Sequence, residues 1–157
     1  MKTLWIARHA EAANGINDSK RRLTAQGQQQ ARQTGRDLCV SSPNKLHVMC
    51  SGATRATQTL REWQKLSDWK GSETFHNGLY LANSGTLLHH ICRVEDRIAN
   101  LCILAHNPGV SDLIHYLTRG IHHLQPGDIV QTSCNIKSWQ ELSEGFGDLI
   151  RIFKPKS

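Results

Sequence analysis

The chain has 157 residues, 38% of them hydrophobic, with a mean hydropathy of −0.46. That suits a single soluble domain with one sizeable core, and no apolar run approaches the roughly 20 residues that span a bilayer. The formal net charge of +6 is spread along the chain apart from Lys20-Arg21-Arg22; it favours anionic partners, while no zinc-finger spacing or aromatic RNA-binding motif points to nucleic acid.

Residues 2–7 predict a central first strand, because their apolar run is nearly continuous. No signal-peptide pattern occupies this start, so a cytoplasmic protein is expected, with no membrane partner. The strand ends abruptly on Arg8-His9. On the pair alone, an exposed Arg beside a capping His is the simpler account. A polar loop is expected over residues 10–23. Thr24 reads as the N-cap of a helix over residues 25–39, closed by a turn at Ser41-Ser42-Pro43-Asn44.

A second strand is predicted over residues 46–50, then a reversal through Ser51 to Arg55. The next helix carries Ala56, Leu60, Trp63 and Leu66 as its apolar positions. Residues 73–76 suggest a brief strand and residues 77–83 an irregular segment. Ser84 is the expected cap of a helix carrying Leu87, Leu88, Ile91 and Val94. Residues 100–105 form the strongest buried-strand pattern, ending on His106-Asn107-Pro108-Gly109. A helix with Val110, Leu113, Ile114 and Leu117 on one face follows and stops at Gly120. Two alternating strands, 128–139 and 146–153, complete the chain before a frayed end at 154–157.

This order predicts one domain, residues 1–157, built as a three-layer α/β/α sandwich with a mostly parallel central sheet and room for an antiparallel edge. There are five cysteines, Cys39, Cys50, Cys92, Cys102 and Cys134, and no C-x-x-C. Free thiols in a reducing compartment are expected, buried where the neighbours are apolar, as around Cys39, Cys50 and Cys102. His89-His90, His115 and His122-His123 lack metal-ligand spacing and are expected at the surface, with no metal and no cofactor. Trp63 and Trp69 are expected to pack.

Three predicted strands end on ionisable residues: Arg8-His9, Arg55 after a short turn, and His106. Parallel strands would open all of them toward one crevice, where open α/β sheets bind ligands. Arg offers a planar fork of donors that matches phosphoryl oxygens. His is the side chain best able to be neutral and nucleophilic near neutral pH. Each residue has a plain structural account alone; three successive strand ends carrying this set point to a phosphate pocket.

At these residues the chain resembles the histidine phosphatase superfamily, which is phosphoglycerate mutase-like in fold, and within it the small SixA-type phosphohistidine phosphatases. Arg8-His9-Ala10-Glu11-Ala12 resembles the first signature. Leu23-Thr24-x-x-Gly27-x-x-Gln30-Ala31, Ser51-x-x-x-Arg55-Ala56-x-Gln58-Thr59 and His106-Asn107-Pro108-Gly109 follow in register over nearly the whole length. The resemblance implies that His9 attacks phosphorus and is transiently phosphorylated. It implies that Arg8, Arg55 and His106 are catalytic and bind the phosphoryl oxygens, with Asn107 as a further substrate contact. Arg21, aligned with a basic position before Leu-Thr, is either a substrate contact at the rim or a solvated charge. A neutral His9 requires its other ring nitrogen to donate to a backbone carbonyl.

Ala10 replaces the signature Gly, Gly52 stands where Pro often follows the Ser, and Arg22 where Pro often precedes Leu-Thr. Many superfamily members carry a carboxylate between the second and third motifs to protonate the leaving oxygen. Residues 75–81, Phe-His-Asn-Gly-Leu-Tyr-Leu, hold none; Glu73 is out of register and Glu11 has no settled role. A phosphoramidate needs such help less than an alkoxide does. The expected partner is therefore a phosphohistidine-bearing signalling or phosphotransfer protein, reached through an uncapped pocket. Alternatives are a phosphatase of small phosphorylated substrates and a catalytically weak phosphate-binding module.

Overall fold

A computed structural model of the chain describes residues 1–42 and 45–156. The expected turn at 41–44 falls partly on Pro43 and Asn44, and the expected frayed end includes Ser157; these three lie outside the described residues.

Six strands form one sheet: β1 (Lys2–Arg8), β2 (His47–Ser51), β3 (Ser72–His76), β4 (Asn100–Ala105), β5 (Ile129–Cys134) and β6 (Gly147–Phe153), in the order β3-β2-β4-β1-β5-β6. β1, β2, β3 and β4 run parallel, with Arg8 opposite Ala105 in the β1–β4 register. β5 pairs antiparallel with both β1 and β6. The mostly parallel sheet with an antiparallel side is therefore present.

Four helices cover it: α1 (Ala25–Ser41), α2 (Thr54–Gln64), α3 (Ser84–Cys92) and α4 (Gly109–Thr118). Strand alternation explains the layers. Trp5 and Ala7 face a core with Leu38, Leu60 and Trp63 from α1 and α2. Leu4 and Ile6 face the opposite core with Leu87, Ile91, Leu113 and Leu117 from α3 and α4. A strand covered on both sides must be apolar along its buried stretch, which is why residues 4–7 of β1 and 101–105 of β4 read as unbroken runs. Each large side chain so buried contributes about 1.5–3 kcal/mol.

Several boundaries differ from the sequence expectation. The fifth strand stops at Cys134, not 139. Ile136 and Trp139 are buried beyond it, and Trp139 sits in a 3-10 turn with its indole N–H donating to the Ile98 carbonyl at 2.8 Å. Asn83, not Ser84, caps α3, accepting from the Thr86 N–H at 2.9 Å. α3 ends at Cys92, leaving Val94 beyond the helix but packed on the core. The loop at 10–23 contains a 3-10 turn, Asp18–Lys20. The tail is not loose at Lys154, which pairs with Asp128 at 2.9 Å, nor at Lys156, whose N–H donates to Gln33.

All five cysteines are free. Cys50, Cys102 and Cys134 are buried as expected of free thiols, whereas Cys39 and Cys92 are half-buried. Burial pushes the Cys50 thiol up to about 12. Trp63 and Trp69 pack against each other at 6.2 Å.

Candidate active site

The carboxyl ends of β1, β2 and β4 bring Arg8, His9, Arg55 and His106 together. Three of them are polar residues in the interior: His9 is 8% exposed, Arg55 3% and His106 2%.

His9 follows the last residue of β1, and its N–H still bonds across to the Ala105 carbonyl. Its Nδ1 lies 2.8 Å from the Ala10 carbonyl oxygen. That oxygen can only accept, so Nδ1 carries the proton. On the other side, Arg55 Nε–H donates to His9 Nε2 at 3.2 Å. Nε2 therefore holds the lone pair. Burial, with Arg55, Arg8 and Arg21 adding to it against the Ala10 hydrogen bond, pushes the ring down to about 4. His9 is neutral near pH 7, in the tautomer the sequence argument required.

His106 faces His9 with ring centroids 5.1 Å apart. Its Nε2 is 2.8 Å from Ser51 Oγ. Burial and the neighbouring His9 and Arg55 take it down to about 3. Arg8 Nη1 donates to the Leu124 carbonyl at 2.9 Å. Two buried atoms of this group, Arg8 Nε and His106 Nδ1, have no hydrogen-bond partner among the described residues. Buried polar atoms are rarely left so, because each costs about 1–3 kcal/mol. A phosphoryl group, rich in acceptors, fits the unpartnered Arg8 Nε–H.

The surrounding motif residues hold this geometry. Thr59 Oγ1 accepts from the Ala10 N–H at 3.1 Å and donates to the Arg55 carbonyl at 2.8 Å, tying the loop after β1 to the start of α2. Gln58 accepts from the Leu23 N–H at 2.8 Å. Thr24 caps α1 through the Gly27 N–H and donates to the Glu11 carboxylate at 2.9 Å. A Cβ on Gly27 would lie 2.1 Å from the Glu11 carbonyl, so only Gly permits this approach. Gly109 packs equally close to the Ala82 carbonyl. Ala10 has no positive φ and is fully buried, which explains why Ala is accepted there.

The remaining sequence candidates are placed differently. Asn107 Nδ2 donates to the same Leu124 carbonyl at 2.8 Å, and its Oδ1 accepts from Ser111. It braces the carbonyl that holds Arg8. Arg21 is at the mouth, its Nη1 3.0 Å from Asp18 Oδ1 and its Nε donating to Ala13. Glu11 is turned to Thr24, and Glu73 lies on β3 near Arg61.

Two residues at the mouth were not anticipated. Asp18 Oδ2 sits 3.1 Å from Arg55 Nη2, and the Asp18 carbonyl accepts from Arg55 Nη1 at 2.7 Å. The Tyr80 hydroxyl donates a short hydrogen bond to the same Oδ2, and the Tyr80 ring stands edge-on to His106. The hydrogen bond from Tyr80, then those from Arg21 and Arg55, hold the Asp18 carboxyl well below the usual carboxylate range. Asp18 lies 37 residues from Arg55 and 62 from Tyr80. The only local sign was its i,i+3 spacing to Arg21.

Among the described residues, no group of three or more His, Cys, Asp or Glu could hold a metal ion, and no helix is long and apolar enough to cross a membrane.

No family model matches the chain. A Mycobacterium tuberculosis protein of uncharacterized function is 35% identical over 108 residues, 68% of this chain and 66% of that protein. The chain thus matches just under two thirds of that relative's length. A Mycobacterium leprae protein, also uncharacterized, is 29% identical over 117 residues, 71% of this chain and 70% of its own. In three dimensions the chain is similar to a Nakamurella multipartitia structure described as a phosphohistidine phosphatase SixA by assignment, at TM-score 0.90 and 23% identity, covering 99% of this chain and 97% of that one. It is also similar to the protein histidine phosphatase SixA complexed with tungstate, at 0.82 and 22%, over 98% and 97%. An Escherichia coli K-12 structure described as an alpha-ribazole-5'-P phosphatase follows at 0.69 and 19%, over 98% and 96%.

Proposed function

We propose that this chain, which has the histidine phosphatase fold, is a phosphatase that works through a covalent phosphohistidine on His9. Its substrate is phosphohistidine carried by a signalling or phosphotransfer protein. The observation that carries the reading is the lone pair on His9 Nε2, fixed from both sides by the Ala10 carbonyl and the Arg55 Nε–H.

Nε2 attacks phosphorus, and the bond from phosphorus to the leaving atom breaks with its electron pair going to that atom. His9 then carries the phosphoryl group on Nε2 and a proton on Nδ1. The Ala10 carbonyl steadies that positive ring. Arg8, Arg55 and His106 donate to the phosphoryl oxygens, where charge is greatest in transfer. Arg21 and Asn107 act one step back, on Asp18 and on the Leu124 carbonyl. Water then attacks the phosphoenzyme, phosphate leaves, and Nε2 regains its lone pair.

A protein substrate is supported by the mouth itself. Ile16, two residues before Asp18 in the chain, and Leu81, next to Tyr80, are exposed large apolar side chains. SixA structures, the nearest in shape among those described above, are named as phosphohistidine phosphatases. The test is phosphate release from a phosphohistidine-bearing protein and from a panel of small phosphoesters. Turnover of the phosphohistidine protein is expected. Turnover of esters alone would transfer the reading to small phosphorylated substrates.

A further inference from the structure

The pocket contains a carboxylate that the proposed chemistry has not yet used. Arg55 lies between two partners: its Nε faces the nucleophile at 3.2 Å, and its Nη atoms grip Asp18 at 2.7 and 3.1 Å. Asp18 is thus one guanidinium away from His9, on the outward side. The Arg55 side chain is 4% exposed and that of Asp18 45%, so the carboxylate marks the mouth. A leaving group departing opposite His9 moves outward, toward it.

Holding an anion there looks adverse for a phosphate enzyme, since it competes for Arg55 and repels the incoming charge. A general acid would be the usual justification, yet Arg55, Arg21 and the Tyr80 hydroxyl all donate to Asp18. A carboxylate with three such donors stays ionised and gives no proton. What an ionised carboxylate does favour is a cation in the leaving group.

We propose that Asp18, steadied by Tyr80, is a specificity-determining residue that selects phosphoramidates with a protonated imidazole as leaving group over phosphate esters. The inference rests on the phosphatase reading above and narrows its substrate class. In a protonated phosphoimidazole, one ring nitrogen is bonded to phosphorus and the other carries a proton. Asp18 accepts a hydrogen bond from that N–H. His9 Nε2 forms its bond to phosphorus, the P–N electron pair returns to the substrate nitrogen, and a neutral imidazole leaves with its proton on the nitrogen facing Asp18. The enzyme need not supply a proton, which accounts for a pocket without a general acid. An alkoxide has no such cation to offer and gains nothing from Asp18.

The test measures kcat/KM for phosphoimidazole and for p-nitrophenyl phosphate with the wild-type chain, Asp18→Asn and Tyr80→Phe. Asp18 also holds Arg55, so the informative quantity is the ratio of amide to ester turnover. The ratio is expected to fall about tenfold to a hundredfold in Asp18→Asn, the size of one charge-assisted hydrogen bond, and by a smaller factor in Tyr80→Phe. An unchanged ratio in both variants, whether or not the absolute rates drop, would overturn the selectivity role and leave the phosphatase reading intact. A wild-type chain that cleaves the ester but not phosphoimidazole would overturn the selectivity role and the phosphohistidine substrate, and would leave a phosphatase of small esters.

Discussion

His9 and His106 stand at the carboxyl ends of the two central strands, buried among arginines, with their rings pushed down to about 4 and about 3. A second group, His47, His76, His89 and His90, gathers around the edge strand β3 and lines a groove of about 1030 Å³ with Lys70 and Arg93. Here His47, His76 and His90 are partly buried and His89 exposed, and two of the rings bond to hydroxyls: His47 to Ser72 and Thr74, His76 to Thr74. The residue type is the same, and the strand position decides what it can do. At the end of β1, His9 is delivered into a dry site between the Ala10 carbonyl and the Arg55 Nε–H, where one tautomer is enforced. His47 on β2 and His76 on the edge strand β3 instead meet rotatable hydroxyls that accept either tautomer.

The contrast breaks most sharply at His9, the proposed nucleophile. His9→Ala is expected to lower phosphate release by about 10⁴-fold or more, because a residue that forms the covalent intermediate has no substitute. Steady-state assays check this. Arg55→Ala is expected to cost about 10²–10³-fold in kcat, as for other donors aimed at developing charge. It also frees Asp18, so the thermal midpoint should fall.

Protonation gives a third comparison. Both central rings have folded values below the ordinary 6.5. The unfolded chain therefore takes up those protons first. Their contribution to stability is complete above 6.5 and is lost as pH falls from there, to about 4 for His9 and about 3 for His106. Denaturant melts between pH 7 and 4 should show that loss, and NMR should show the His9 ring untitrated down to about pH 5. In His9→Ala the pH slope should shrink. The smallest effect is expected at the edge: His76→Gln and His89→Gln should leave phosphatase kcat/KM within about twofold, as surface changes away from a site do.

These two regions also differ in how far the sequence revealed them. β1 and β4 were legible because burial on both faces demands continuous apolar residues, and Arg8, His9 and His106 stand directly at their ends. β3 was faint, since Ser72–His76 has no fully buried position. The strand expected over 128–139 stops at Cys134 because Ile136, which continues the alternation of Val130, Thr132 and Cys134, is buried without joining the sheet, and Trp139 serves a 3-10 turn. The Asn83 cap differs from the expected Ser84 by one residue, and both types cap well. Asp18 and Tyr80 were hidden for another reason. Their partners lie far away in the chain, and a polar loop of 14 residues (10–23) does not say which side chain folds inward.

The central claim is that phosphate passes through His9. Rapid quenching of the chain with a ³²P-labelled phosphohistidine protein, followed by peptide mapping, tests it directly. An acid-labile, base-stable label on His9, bonded at Nε2 and missing from His9→Ala, is the predicted result. Phosphate release without any label on His9, or label persisting elsewhere in His9→Ala with turnover intact, would contradict it.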